Sequence, residues 1–191
     1  MLIGRYLALL DANVLHPAFV RSAMLWFAHE RLFRPAWSGH ILEEWRRSVQ
    51  RRHPDTSSDK LDALQTVMTE QFGDALIEGY EPFIDALNLP DKDDRHVLAA
   101  AIVGKCHGII TANTKHFPAS VMAPFKMEVV HPDAFIVNII DLHPGRALAA
   151  CKHHRAAMKQ SNPTADEYLD RFAAAGLVQA HARLSINKEL L

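Results

Sequence analysis

The sequence predicts an α/β protein of the three-layer α/β/α kind, with a mainly parallel central sheet and a run of helices at its C-terminal end. Three observations lead there. Short, continuous apolar runs at 5–10 and 108–111 have the length and composition of strands buried on both faces. Amphipathic helical stretches separate the strand-like runs, the order expected when helices carry the chain between parallel strands. After His131-Pro132 the pattern is helical to the last residue.

Each element follows from local signals. Residues 5–10 form the first strand. Pro17 suits the opening of a helix over 18–31, with Phe19, Met24, Leu25, Phe27 and Ala28 as its apolar positions. Ser38 is a good N-cap for a helix over 39–52, where Ile41, Leu42, Trp45 and Val49 share one face. Pro54-Asp55-Thr56-Ser57-Ser58 caps the next helix, whose stripe is Leu61, Leu64, Val67, Met68 and Phe72. A short strand at 75–78 ends at Gly79, and Phe83, Ile84 and Leu87 suggest a helical turn. The alanine-rich stretch 92–104 reads as a helix with Val97, Leu98, Ala101 and Ile102 facing inward. Strands follow at 108–111 and 126–130; the second alternates, as an edge strand does. The terminal helices are expected over 134–142, 146–160 and 165–174, then one carrying Leu177, Val178, Ala180 and Leu184. Thr164 and Glu167 have capping-box spacing. The expected division is a domain over 1–132 and a helical extension over 133–191.

Composition removes several function classes. A net charge of −1 over 191 residues gives no global basic field, so nucleic-acid binding would need a local patch. Arg46, Arg47, Arg51, Arg52 and His53 form such a run, although a run like this is otherwise a solvated helix face. Lys115-His116 and Lys152-His153-His154-Arg155 are weaker candidates. Cys106 and Cys151 lack metal spacing and read as reduced thiols of an intracellular protein. Met1-Leu2-Ile3-Gly4-Arg5 carries no signal-peptide pattern, and no apolar run approaches the ~20 residues that span a bilayer. The expectation is a soluble, cytoplasmic chain without a membrane association.

Four positions carry the chemistry. Asp11 ends the first strand, Glu44 lies on the helix after Ser38, Asp94 opens the alanine-rich helix, and Asn113 follows the strand at 108–111. In open α/β sheets, ligands bind beyond the carboxyl ends of the strands. Three carboxylates and an amide there would suit Mg²⁺, which takes hard oxygen ligands. A cation so held polarises a phosphodiester and lowers the pKa of a bound water. Singly, each position has a plainer use: Asp11 as a cap or turn former, Glu44 as a solvated charge, Asp94 as a first-turn acid, Asn113 as a turn residue. His16 and His96, near Asp11 and Asp94, could touch substrate or serve as capped or core histidines.

Leu10-Asp11-Ala12-Asn13-Val14-Leu15 resembles the opening motif of PIN-domain ribonucleases. Ser38-Gly39-His40-Ile41-Leu42-Glu43-Glu44 fits their second motif. Leu89-Pro90-Asp91-Lys92-Asp93-Asp94-Arg95-His96-Val97-Leu98-Ala99-Ala100-Ala101 is similar to the helix bearing their third acid. Ile110-Thr111-Ala112-Asn113-Thr114-Lys115-His116-Phe117-Pro118 resembles the fourth motif in the branch that uses Asn instead of Asp. The likeness covers about 5–130, and the tail resembles the helical extension of some VapC-type members.

The resemblance implies a Mg²⁺- or Mn²⁺-dependent endoribonuclease with RNA as substrate. It further implies a toxin role, a small antitoxin partner, and homodimers. It places the metal-binding acids on Asp11, Glu44 and Asp94, with Asn113 in the fourth position; Glu43 and Asp93 compete with Glu44 and Asp94. It gives Asn13 and Thr111 supporting hydrogen bonds and lets Asp91 assist. Arg46, Arg47 and Lys115 are the expected RNA contacts. Asn at the fourth position removes a charge and weakens the case for a second metal. Two other readings compete: a haloacid-dehalogenase-type phosphatase built on Asp11, Thr111 and Asp93-Asp94, and a PIN fold retained only for binding.

Overall fold

A computed structural model describes residues 4–191; Met1 to Ile3, part of the segment read above for a leader, lie outside the described residues. In chain order the elements begin with β1 (Leu7–Leu10), α1 (Ala12–Leu15), α2 (Ala18–His29), β2 (Arg34–Ser38), α3 (Gly39–Arg52) and α4 (Ser58–Gln71). Then come β3 (Leu76–Ile77), a 3-10 segment at Glu81–Ala86, α5 (Arg95–Val103), β4 (Gly108–Ile110) and a 3-10 turn at Thr114–His116. The chain continues with α6 (Ala119–Met122), β5 (Glu128–Val130), α7 (Pro132–Leu142), α8 (Pro144–Ala157), α9 (Ala165–Ala174) and α10 (Val178–Ser185).

Contacts divide this chain into two compact units. A sheet unit holds Leu7–His16 and Pro35–Val130, and a helical unit holds the chain up to Tyr6, Pro17–Arg34 and His131–Leu191.

Among the described residues, five strands form one sheet in the order β3-β2-β1-β4-β5. The pairs β1–β4, β2–β3 and β4–β5 are parallel, with Leu9 opposite Ile109 and Ile109 opposite Val129. This is the α/β class expected. Leu9, Leu10, Ile109 and Ile110 have no exposed surface, which explains why their runs are continuously apolar. The expected edge strand is β5, at one end of the sheet.

One strand was not legible. β2 contains Pro35, and proline usually argues against an interior strand. Here Trp37 N–H donates to the Ala75 carbonyl, at the start of two-residue β3. Pro35 faces the same side two residues earlier, before β3 begins, so its missing N–H removes no ladder bond. The helix expected from 92 begins only at Arg95. Asp91 Oδ1 accepts from Asp93 N–H at 3.0 Å, and this turn leaves Asp94 as N-cap rather than helix interior. Likewise α2 stops at His29, short of 31, because Arg31 turns into the left-handed region at φ 57°.

In the sheet unit, His96 to Ala101 of α5 are all buried. Gly104 ends that helix where a Cβ would run into Ile77 Cδ1 and stand 3.1 Å from the Ala100 carbonyl oxygen. Any larger residue here must push the Ile77 side chain aside, so glycine is favoured by close approach rather than by dihedral angle. Gly104→Ala should cost about 1–3 kcal/mol through forced repacking of β3 against α5, read as a lower urea midpoint with unchanged slope. A midpoint within error of the parent would show that Ile77 moves aside freely.

In the helical unit, α2 packs with α8, α7 with α8 and α10, and α9 with α10. Phe19 meets Phe172 edge-on at 4.9 Å between ring centroids, beside Tyr168 and His154. Thr164 and Glu167 form the expected capping box. The last expected helix is α10, and α8 stops at Ala157 rather than 160. No described helix is long and apolar enough to cross a membrane. Both cysteines are free and buried.

Candidate active site

The site begins where β1 runs out. Asp11 N–H still donates to the Ile110 carbonyl, so the backbone is held to the sheet while the side chain leaves it. Its carboxylate is buried, with 4% of the residue exposed. Oδ2 accepts from the Thr111 hydroxyl at 2.7 Å and from the Asn13 amide at 2.5 Å. Asn13 also donates to Thr111 Oγ1 at 2.9 Å, and its Oδ1 accepts from Ala112 N–H. Thr111 Oγ1 accepts a further bond from Asn113 N–H. This mesh ties the end of β1 to the end of β4, and it forms because both strands stop at the same level.

The remaining acids come from helices. Ser38 Oγ accepts from Ile41 N–H and caps α3, which carries Glu44 one turn further on. Glu44 Oε1 lies 3.0 Å from His96 Nε2. Asp94, at the cap of α5, makes no capping bond; its Oδ2 instead meets His116 Nδ1 at 2.7 Å. A carboxylate only accepts, so both imidazoles are donors.

One cleft of about 400 Å³ is lined by Asp11, Asn13, Glu44, Asp94 and Asn113 together with Ala12, His16, Arg47, Ser48 and Arg51. Burial, above all, raises the Asp11 carboxyl from its ordinary value; the charges of Asp94 and Glu44 push the same way, against the Thr111 hydrogen bond. Burial also raises Asp94, opposed by the hydrogen bond from His116. Carboxylates that resist ionising beside one another favour a cation between them, and their hard oxygens fit Mg²⁺ or Mn²⁺.

All four positions singled out in the sequence thus reach one cleft. Glu44 lines it, whereas Glu43 is exposed and does not; Asp94 lines it and Asp93 does not. Of the expected RNA contacts, Arg47 lines the cleft and Arg46 does not. Its guanidinium bonds Asp62 at 2.5 Å, with Ser58 and Gln65 nearby, which ties α3 to α4 and leaves it off the cleft. Lys115 is exposed and also outside the cleft lining. Arg51, one turn beyond Arg47, was visible only as part of the basic run. His116, singled out in the sequence only with Lys115 as a weaker nucleic-acid candidate, brings with Asp91 and Asp94 three possible ligand atoms within 4.8 Å of one another.

Comparison with known proteins adds three findings. Residues 8–115 match the family model described as "PIN domain", and residues 132–185 match the one described as "VapC50 C-terminal domain". A Mycobacterium tuberculosis protein described as "Putative ribonuclease VapC50" is 43% identical over 65 residues, 34% of this chain and 38% of that protein. The chain therefore spans well under two thirds of that relative's length. No solved structure matches.

Proposed function

From the premise that this chain belongs to the PIN-domain family, whose model matches more than half of it, we propose that it is a divalent-cation-dependent endoribonuclease and the toxin of a toxin–antitoxin pair. The observation that carries this reading is the convergence of Asp11, Glu44, Asp94 and Asn113 on one cleft from four separate elements.

Asp11, Glu44 and Asp94 would hold Mg²⁺ or Mn²⁺, with Asn113 beside them. When bound, the cation supplies Lewis acidity for in-line hydrolysis of a phosphodiester. The chain's own residues do the rest. Thr111 and Asn13 fix the Asp11 carboxylate so that it does not reorganise when substrate arrives. Asn113, neutral at the fourth position, spares the incoming phosphate one repulsive charge. Arg47 and Arg51 stand one turn apart on α3, their guanidinium groups make no hydrogen bond or ion pair to a described residue, and they would bind neighbouring phosphates of a single strand. The division into a nuclease domain over 1–132 and an extension over 133–191 belongs to the same proposal, as do a small antitoxin as partner and a homodimer.

The test uses the full chain and an unstructured RNA. Cleavage is expected with Mg²⁺ or Mn²⁺ and not in excess chelator. Arg47→Gln and Arg51→Gln should each flatten the salt dependence of RNA binding by about 0.7 in log–log slope, the amount for one lost contact to a single strand. Cleavage that persists in chelator would remove the cation-dependent reading. Mn²⁺ binding without any cleavage would favour a retained binding module.

A further inference from the structure

Two imidazoles stand behind the carboxylates of the cleft, and neither lines it. His96 is buried on α5, and its Nε2 meets Glu44 Oε1 at 3.0 Å across 52 residues of chain. Its Nδ1 is buried without a hydrogen-bond partner among the described residues. An imidazole kept in a core with one nitrogen unsatisfied carries a desolvation cost, and such a group calls for an explanation. The bond to Glu44 supplies one. His116, in the turn after β4, repeats the arrangement: its Nδ1 meets Asp94 Oδ2 at 2.7 Å. In both carboxylates one oxygen is taken by an imidazole, and the other has no partner among the described residues. Asp11 needs no such imidazole, because Thr111 and Asn13 already hold it.

We propose that His96 and His116 are positioning residues: each donates one N–H to a single carboxylate oxygen, of Glu44 and of Asp94, and so fixes that carboxylate with its second oxygen left for a divalent cation. The inference rests on the cation-binding reading of the cleft. Hydrogen bonds that orient a ligating carboxylate are worth ~10–100-fold in metal affinity. A histidine that merely filled space would contribute nothing of that kind.

The experiment is calorimetric titration of the purified full chain with Mn²⁺ alone, without RNA. His96→Ala and His116→Ala should each weaken Mn²⁺ binding by ~10–100-fold. His96→Gln and His116→Asn place an amide N–H where Nε2 and Nδ1 stand, and should restore affinity to within a few-fold of the parent. Folding is followed by thermal melting in chelator. If buried His96→Ala fails to fold, the half-exposed His116 pair decides the matter. Alanine variants that fold and bind Mn²⁺ like the parent overturn the proposal. So does equal loss in the alanine and amide variants, which would make the imidazole itself the ligand. A parent chain that binds no Mn²⁺ overturns the cation-binding reading as well. Parent binding lost in Glu44→Gln but untouched in both alanine variants overturns this inference alone.

Discussion

Asp11→Asn should stop RNA cleavage and, without divalent cation, make the protein more stable at neutral pH. The two effects share a cause. Asp11 is buried at the end of β1, and burial, reinforced by Asp94 and Glu44, raises its carboxyl above the ordinary value. The folded state therefore holds the proton more tightly than the unfolded chain does. Between the unfolded and folded values the native state carries more protons, so stability falls as pH rises through that window, and the deficit persists above it. Asparagine never ionises, yet its side-chain oxygen still accepts from Thr111 and Asn13. The variant's advantage should thus be present at pH 7 and vanish as pH drops below the ordinary carboxylate value of ~4. Cation reverses the order, because a ligand that binds only the folded state stabilises it, and the variant has lost a ligating charge. Loss of several kcal/mol of transition-state charge stabilisation corresponds to ~10³-fold or more in rate. Melting curves from pH 4 to 8, in chelator and in Mg²⁺, check the whole pattern. A variant less stable than the parent at pH 7 in chelator would show that the buried carboxylate is already compensated. Asp94→Asn should move the same way by a smaller amount, since His116 offsets part of its burial.

The parts of this architecture that could be read from sequence are those where one local signal suffices. Ala8, Leu9 and Leu10 of β1 and Gly108–Ile110 are buried on both faces, and their uninterrupted apolar runs say so. Ser38 and Thr164 cap their helices with their own side chains, and each was legible as a cap. The parts that escaped depend on what lies across the fold. β2 tolerates Pro35 only because β3 is two residues long, and nothing near Pro35 announces the length of β3. α1 is a single turn whose Asp11 cap makes no capping bond, because that carboxylate is engaged with Thr111, a hundred residues away. The same distinction divides the candidate site. Asp11, Glu44, Asp94 and Asn113 were found by motif, each next to the strand end or helix that presents it. His96 and His116 were noted as a histidine near Asp94 and a weak basic candidate, but their bonds to the acids were not legible, since the Glu44–His96 and Asp94–His116 pairs span 52 and 22 residues. Arg46 and Arg47 are neighbours in sequence but diverge in space. One residue of rotation turns Arg46 toward Asp62 on α4 and Arg47 toward the cleft.

Asp133→Ala should be the most damaging single change in the helical unit. α10 is only eight residues long, and its N-cap, Leu177, has no side chain able to accept a bond. The carboxylate of Asp133, at the start of α7, does that work from a distance: Oδ1 accepts from Ala180 N–H at 2.8 Å and Oδ2 from Gln179 N–H at 3.0 Å. It also places a negative charge at the positive end of the helix dipole. Asp133 is buried, with 4% exposed, and Ala180 is fully buried, so water cannot replace the shorter bond. Hydrogen bonds to a charged group are each worth about 1.5–3 kcal/mol, and exposed Gln179 regains part of its share from solvent. The expected loss is therefore about 3 kcal/mol, measured by urea denaturation. Asp133→Asn keeps one acceptor and should lose about half as much. A loss below about 1 kcal/mol for the alanine variant would mean that α10 is held by its packing against α7 and α9 rather than by its cap.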